Sequence, residues 1–295
     1  MISFDVRHVL DVKAHLGEAP LWSQEQDALI WLDIRDDRLN RFDPASGVNR
    51  SWPLPASHPG AFTLCPGGVA IATGDGFFRF DFAAERFERL GNVPLDTRTL
   101  HFNDGKADRQ GRFWIGTLLK AFKMEGPGEG TYYCYEAGQW RAGIEGIKVP
   151  NGTCFSPDGR RMYRAESMHR KILQYDYDPV TGRPSNERIF AEMPEGFGIP
   201  DGATVDSEGG MWSAIPFGET GRVARFTPDG RMDLHFDVPV LVPTMVAFGG
   251  KDLSTLFITS GRIEASLGRP ASELGGDIFA VDTGFNGIPE AVTAV

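Results

Sequence analysis

Six positions share one phase in this chain, and four of them carry a ligand-type oxygen. Asn103 precedes Gly111 by eight residues, Asn151 precedes Gly159 by eight, and Asp201 precedes Gly209 by eight. Glu18 stands eight before Gln26, Gly60 eight before Gly68, and Thr244 eight before Asp252. If a fold brings Glu18, Asn103, Asn151 and Asp201 together, two carboxylates and two amide oxygens converge. That donor set suits a hard divalent cation such as Ca²⁺ or Mg²⁺, and Mn²⁺ or Fe²⁺ tolerate it. Without a cation the two acids repel each other and one is pushed neutral. Asn and Asp before Gly are also ordinary turn formers. On the residues alone, a turn role and a ligand role stay open for Asn103, Asn151 and Asp201. Glu18 favours the ligand role, because Glu is a poor turn former and G-E-A-P offers it no capping position.

Positioning such a ring requires a repeated element. No segment holds a helical apolar period over three turns, whereas short alternating runs bounded by Gly, Pro, Asp and Asn occur throughout. Six of these runs have apolar cores beginning near Ile30, Ala70, Phe113, Met162, Met211 and Leu256, a period of 40 to 49 residues. Strand candidates flank each core on both sides. The period and the strand count predict an all-β, six-bladed β-propeller with four antiparallel strands per blade, as one domain over 1–295. The sixth repeat lacks a fourth strand. FDVRHVLDV near the N-terminus can supply it and close the ring, and residues 286–295 are the competing candidate. In a propeller the shared phase places the six positions at the central channel, just ahead of the innermost strands.

The remaining features narrow the class. The formal net charge is -10 and no basic stripe occurs, so nucleic acid is not an expected partner. The long spacings between Cys65, Cys134 and Cys154 predict reduced thiols. No apolar run fits a signal peptide or a transmembrane helix, so a cytoplasmic protein without a membrane partner is expected. No G-x-S-x-G, H-E-x-x-H, P-loop or zinc pattern is present. Trp31, Trp114 and Trp212 recur at one phase and read as core packing. Cys154 reads as a buried thiol, and Asp33, Asp36 and Asp37 as a solvated turn. His58, His101 and His169 are candidate bases or ligands. The Gly/Pro-rich insertion at 118–130 reads equally as a lid or a surface loop.

Four motifs in this order carry a resemblance over essentially the whole chain: G-E-A-P-L-W at 17–22, F-N-D-G-K-A-D at 102–108, P-N-G-T-C-F-S-P-D-G at 150–159 and P-D-G-A-T-V-D-S-E-G at 200–209. The chain resembles the gluconolactonase, regucalcin (senescence marker protein) and luciferin-regenerating-enzyme family. The resemblance implies a six-bladed propeller that hydrolyses sugar lactones with one divalent metal, Ca, Zn, Mn, Mg or Fe(II), in the channel. It implies Glu18, Asn151 and Asp201 as metal ligands, with Asn103 beside them on substrate or on a water at the metal. Many relatives carry Arg two residues before that Asn, where this chain has His101. Arg98 or His101 is then expected to take over its contact with the sugar acid. At A-E-S, 165–167, relatives often have D-S, so Glu166 is expected as a longer acid at the channel mouth.

The expected reaction is hydrolysis of an aldonolactone to the aldonate in carbohydrate catabolism, with Asp201 as general base and Asn103 donating from its amide. The expected partner is a small-molecule sugar lactone, and the expected assembly a monomer or weak homo-oligomer. Two other classes stay open: a metal-dependent organophosphate or other ester hydrolase, and a non-catalytic calcium-binding propeller.

Overall fold

The computed structural model describes residues 4–121, 125–264, 268–270 and 272–295. It contains six four-stranded antiparallel sheets. The first comprises β2 (Gly17–Ser23), β3 (Ala28–Asp33), β4 (Arg38–Asp43) and β5 (Val48–Pro53). The second comprises β6 (Ala61–Cys65), β7 (Gly68–Ala72), β8 (Phe77–Asp81) and β9 (Arg86–Gly91). The third runs from β10 (Leu100–Ala107) through β11 (Phe113–Leu119) and β12 (Gly130–Glu136) to β13 (Gln139–Ile147). The fourth holds β14 (Pro150–Phe155), β15 (Arg161–Glu166), β16 (Lys171–Asp178) and β17 (Arg183–Glu192). The fifth holds β18 (Ala203–Val205), β19 (Met211–Ile215), β20 (Gly221–Phe226) and β21 (Met232–Val238). β22 (Pro243–Gly249), β23 (Thr255–Ser260) and β24 (Ile278–Asp282) form the sixth with β1 (Arg7–Leu10). The innermost strands β2, β6, β10, β14, β18 and β22 neighbour one another in a closed ring.

The N-terminal segment, not the C-terminal one, closes this propeller. β1 pairs antiparallel with β24, Arg7 opposite Ala280. The Asp277 carboxylate accepts the Val12 and Lys13 N–H groups at 3.0 Å each and the Lys13 ammonium at 2.7 Å. The last ten residues instead cross one end of the channel. Ser207 N–H donates to Asn286 O, Asp206 bridges Gly287, and Thr293 N–H donates to Leu64 O.

Burial falls from the axis outward. β3, β7 and β19 are buried at every position, because neighbouring blades cover both faces of the second strand. Trp31, Trp114 and Trp212 lie in this layer and are fully buried. The outer strands β9 and β17 are largely exposed and charge-rich, which guards the unpaired edge. Between first and second strands, Gly111, Gly159 and Gly209 sit at φ 84°, 65° and 85°. Only glycine adopts that region without strain, which explains why these residues mark the repeat.

Candidate active site

Asn103 lies inside β10, not ahead of a strand, and Glu18 and Asn151 lie likewise inside β2 and β14. The register slips at each of them: between Glu18 and Leu21, between Phe102 and Gly105, and between Asn151 and Cys154. A bulge re-aims a side chain that a regular strand would turn into the neighbouring blade. The bulges require unusual backbone, with φ 50° at Ala19 and 60° at Gly152. A Cβ on Gly152 would come 3.0 Å from the Asp201 carbonyl, so the glycine also lets blades four and five meet.

A chain of hydrogen bonds joins the axial positions from blade three through blades four, five and six to blade one. The Asn103 amide donates to Pro150 O at 2.7 Å and to Asn151 Oδ1 at 2.6 Å. Asn151 Nδ2 donates to Ser167 Oγ at 2.9 Å, and that hydroxyl donates to Pro200 O at 2.6 Å. Gly202 N–H donates to Thr244 O at 2.8 Å, and the Thr244 hydroxyl donates to Gly17 O. These links reach the backbone of the next axial residue or of the residue just before it. Gly60 carries no side chain to add. A Cβ there would lie 2.2 Å from that of Phe102.

Both Asn103 amide protons are therefore committed. Pro150 O can only accept, so Nδ2 must face it, and Oδ1 is the atom left for the channel. Donation from this amide to substrate, expected from sequence, would require one of these two hydrogen bonds to be given up.

Among the described residues no cationic side chain offsets the charges of Glu18 and Asp201, whereas Lys106 partly offsets that of Asp104. Glu18 is pushed up to about 8, chiefly by burial and then by the charge of Asp104. Asp201 is pushed well above the carboxylate range by burial, Glu18 and Asp104, against one backbone N–H from Gly202. Asp104, which sequence reasoning passed over, is raised by burial although the Thr153 N–H donates to it at 2.6 Å. Its position directly after Asn103 in F-N-D-G was the available signal. Lys106 was also missed. Its ammonium is buried and donates to Ala203 O and Glu290 Oε1, both at 3.2 Å, so the C-terminal segment holds it.

Glu18 and Asp201 with the Asn151 amide oxygen suit a hard cation. Asn151 Oδ1 accepts one hydrogen bond from Asn103 and keeps a second lone pair. The third donor is an amide, consistent with the finding that among the described residues no group of three or more His, Cys, Asp or Glu is arranged to hold a metal.

The other expected residues have partners and surroundings of their own. Arg98 is exposed and forks onto Asp96 of its own loop at 2.9 and 2.8 Å, which competes with any reach into the channel. Glu166 is buried, not free at the mouth. Its Oε2 pairs with Arg164 at 2.8 Å, because that buried guanidinium needs a counter-charge. His101 is half-buried and held below the usual imidazole range by burial, then by His58 and Lys120, which favours the neutral ring. Cys154 is raised to about 12 by burial and stays a thiol. Asp33 is buried too, accepting the His15 and Leu16 N–H groups at 2.8 and 3.1 Å, so it is not part of a solvated turn. The lid reading for 118–130 includes residues 122–124, which lie outside the described residues.

Comparison with known proteins agrees with this architecture. Residues 16–262 match the SMP-30/Gluconolactonase/LRE-like region, and the chain belongs to that family. It is 37% identical to a 6-deoxy-6-sulfogluconolactonase of Pseudomonas putida, with 95% of each chain covered. A pentonolactonase of Haloferax volcanii is 35% identical, with 97% of each covered. The crystal structure of a calcium-binding protein, regucalcin, from Agrobacterium tumefaciens superposes with a TM-score of 0.89 at 28% identity, over 99% of this chain and 98% of that one.

Proposed function

We propose that this member of the SMP-30/gluconolactonase family hydrolyses a sugar lactone, an aldonolactone, to its open acid with a divalent cation in the channel. The observation that carries the reading is the mutual repulsion of the buried acids Glu18 and Asp201, which no cationic side chain among the described residues offsets. Its chemistry comes from the relatives, a sulfogluconolactonase and a pentonolactonase.

Glu18, Asn151 and Asp201 would hold the cation, which when bound supplies Lewis-acid polarisation of a carbonyl. Asp201 is the general base: its carboxylate takes the proton of the attacking water. Asn103 accepts a hydrogen bond through Oδ1, so it orients a hydroxyl of the substrate or the water itself. His101, as a neutral ring, serves the sugar hydroxyls.

A pH-indicator assay over pentono- and hexonolactones tests the reading. Chelated protein should be inactive, and Mn²⁺, Ca²⁺, Zn²⁺ or Mg²⁺ should restore turnover. Full turnover after exhaustive chelation, with no metal by elemental analysis, would remove the cation. Absence of turnover on every lactone, with any ion, would remove the activity.

A further inference from the structure

We infer that Ser167 is a positioning residue that sets which end of the Asn151 amide faces the channel. The inference rests on the reading of Glu18, Asn151 and Asp201 as cation ligands. An asparagine holds a cation only through Oδ1, and the amide has two orientations of nearly equal shape. Some neighbouring group must decide between them.

Ser167 is fully buried in the 3₁₀ turn Ser167–His169 that follows β15. Its hydroxyl has one proton, and that proton goes to Pro200 O at 2.6 Å. A carbonyl cannot donate in return, so Ser167 Oγ is left only as an acceptor toward Asn151. It accepts Nδ2 at 2.9 Å. On the other side Asn103 presents Nδ2, because its own partner Pro150 O also only accepts. Two backbone carbonyls thus impose one polarity on the relay, and the Asn151 oxygen is turned away from Ser167. Reversing the amide would set N–H against N–H at Asn103 and oxygen against oxygen at Ser167.

The Pro200 end has independent support. Asp201 N–H donates to Ala214 O at 2.9 Å and Gly202 N–H to Thr244 O, so the backbone beside Asp201 does not depend on the hydroxyl. The distinctive contribution of Ser167 is therefore to Asn151. Partners that orient a ligand in this way are typically worth about 10–100-fold in metal affinity.

The test is a double-mutant cycle read by Mn²⁺ calorimetry. Ser167→Ala alone should raise the Mn²⁺ Kd by about 10–100-fold. Asn151→Asp supplies a carboxylate, whose two oxygens make orientation irrelevant. In that background Ser167→Ala should change Kd by less than about 3-fold. Equal losses in both backgrounds, or no loss in the first, overturn the inference. If the unmutated protein binds no Mn²⁺ and no other divalent ion, the cation reading under Proposed function falls. The relay is then decided by NMR of metal-free protein. The Asn151 side-chain amide protons should be protected from exchange and lose that protection in Ser167→Ala, whereas persistent protection overturns it. Melting in chelator checks that each variant is folded.

Discussion

Asp201 and Asp206 are five residues apart on the innermost segment of one blade, and they occupy opposite chemical regimes. At the turn end, Asp206 is saturated. Its Oδ1 accepts the Glu208 and Gly210 N–H groups at 3.0 and 2.8 Å, and its Oδ2 accepts Trp212 Nε1 at 2.8 Å and Arg225 Nε at 2.7 Å. Asp108 does the same in blade three with Arg112 and Tyr177. At the other end, Asp201 meets Glu18 and Asp104 and a single backbone N–H. The contrast teaches that burial alone does not mark a functional acid in this protein. The mark is burial without a built-in counter-charge. A carboxylate surrounded by donors is part of the scaffold, and one surrounded by carboxylates calls for a ligand from outside.

Exchanging each acid for its amide should separate the two regimes. Asp201→Asn should lower lactone turnover by about 10³-fold, with melting in chelator unchanged or raised because a repulsion is gone. Wild-type turnover in metal-replete protein would break the assignment of Asp201 as base. Asp206→Asn should instead cost about 3 kcal/mol in urea unfolding, because in either orientation its NH₂ would face donors, the Glu208 and Gly210 N–H groups or those of Trp212 and Arg225. A loss below about 1 kcal/mol would place Asp206 outside the scaffold.

A pH series sharpens the same contrast. Glu18 is raised in the folded protein, so its contribution to stability is present below the ordinary carboxylate range and is lost as pH rises through about 8. Metal-free protein should therefore fall behind Glu18→Gln in melting temperature between pH 5 and pH 9, by at least about 2 °C. Added Mn²⁺ should cancel the gap. A pH-independent gap would mean that Glu18 is not a repelled acid. The smallest effect belongs to Arg98→Ala. Exposed pairs such as Arg98–Asp96 contribute little to stability, so the melting temperature should not move measurably and KM should move by less than about 3-fold. A larger KM rise would return Arg98 to the site.

The propeller was legible because its blades repeat turn chemistry. Gly111, Gly159 and Gly209 occupy backbone that other residues avoid, so they mark the same place in blades three, four and five. The axial phase of Glu18, Asn103, Asn151 and Asp201 followed from the same count. Residues whose partners are distant in sequence were not legible. Glu166 was expected at the mouth, but its neighbour Arg164 is buried and holds it. Asn103 was expected to donate, but its protons go to blade four. Lys106 is balanced by Glu290, 184 residues away.

Periodicity and turn residues are local properties, and they determined the architecture, the blade count and which side chains approach the axis. Which atom each side chain presents there depends on acceptors and charges carried by other blades. Only the closed ring sets Ser167 between Asn151 and Pro200, leaves Glu18 and Asp201 without a counter-charge, and supplies Asp206 with one. The physical reason is that a hydrogen bond has a direction and a buried charge needs a partner, and in this fold both come from segments far apart in the chain.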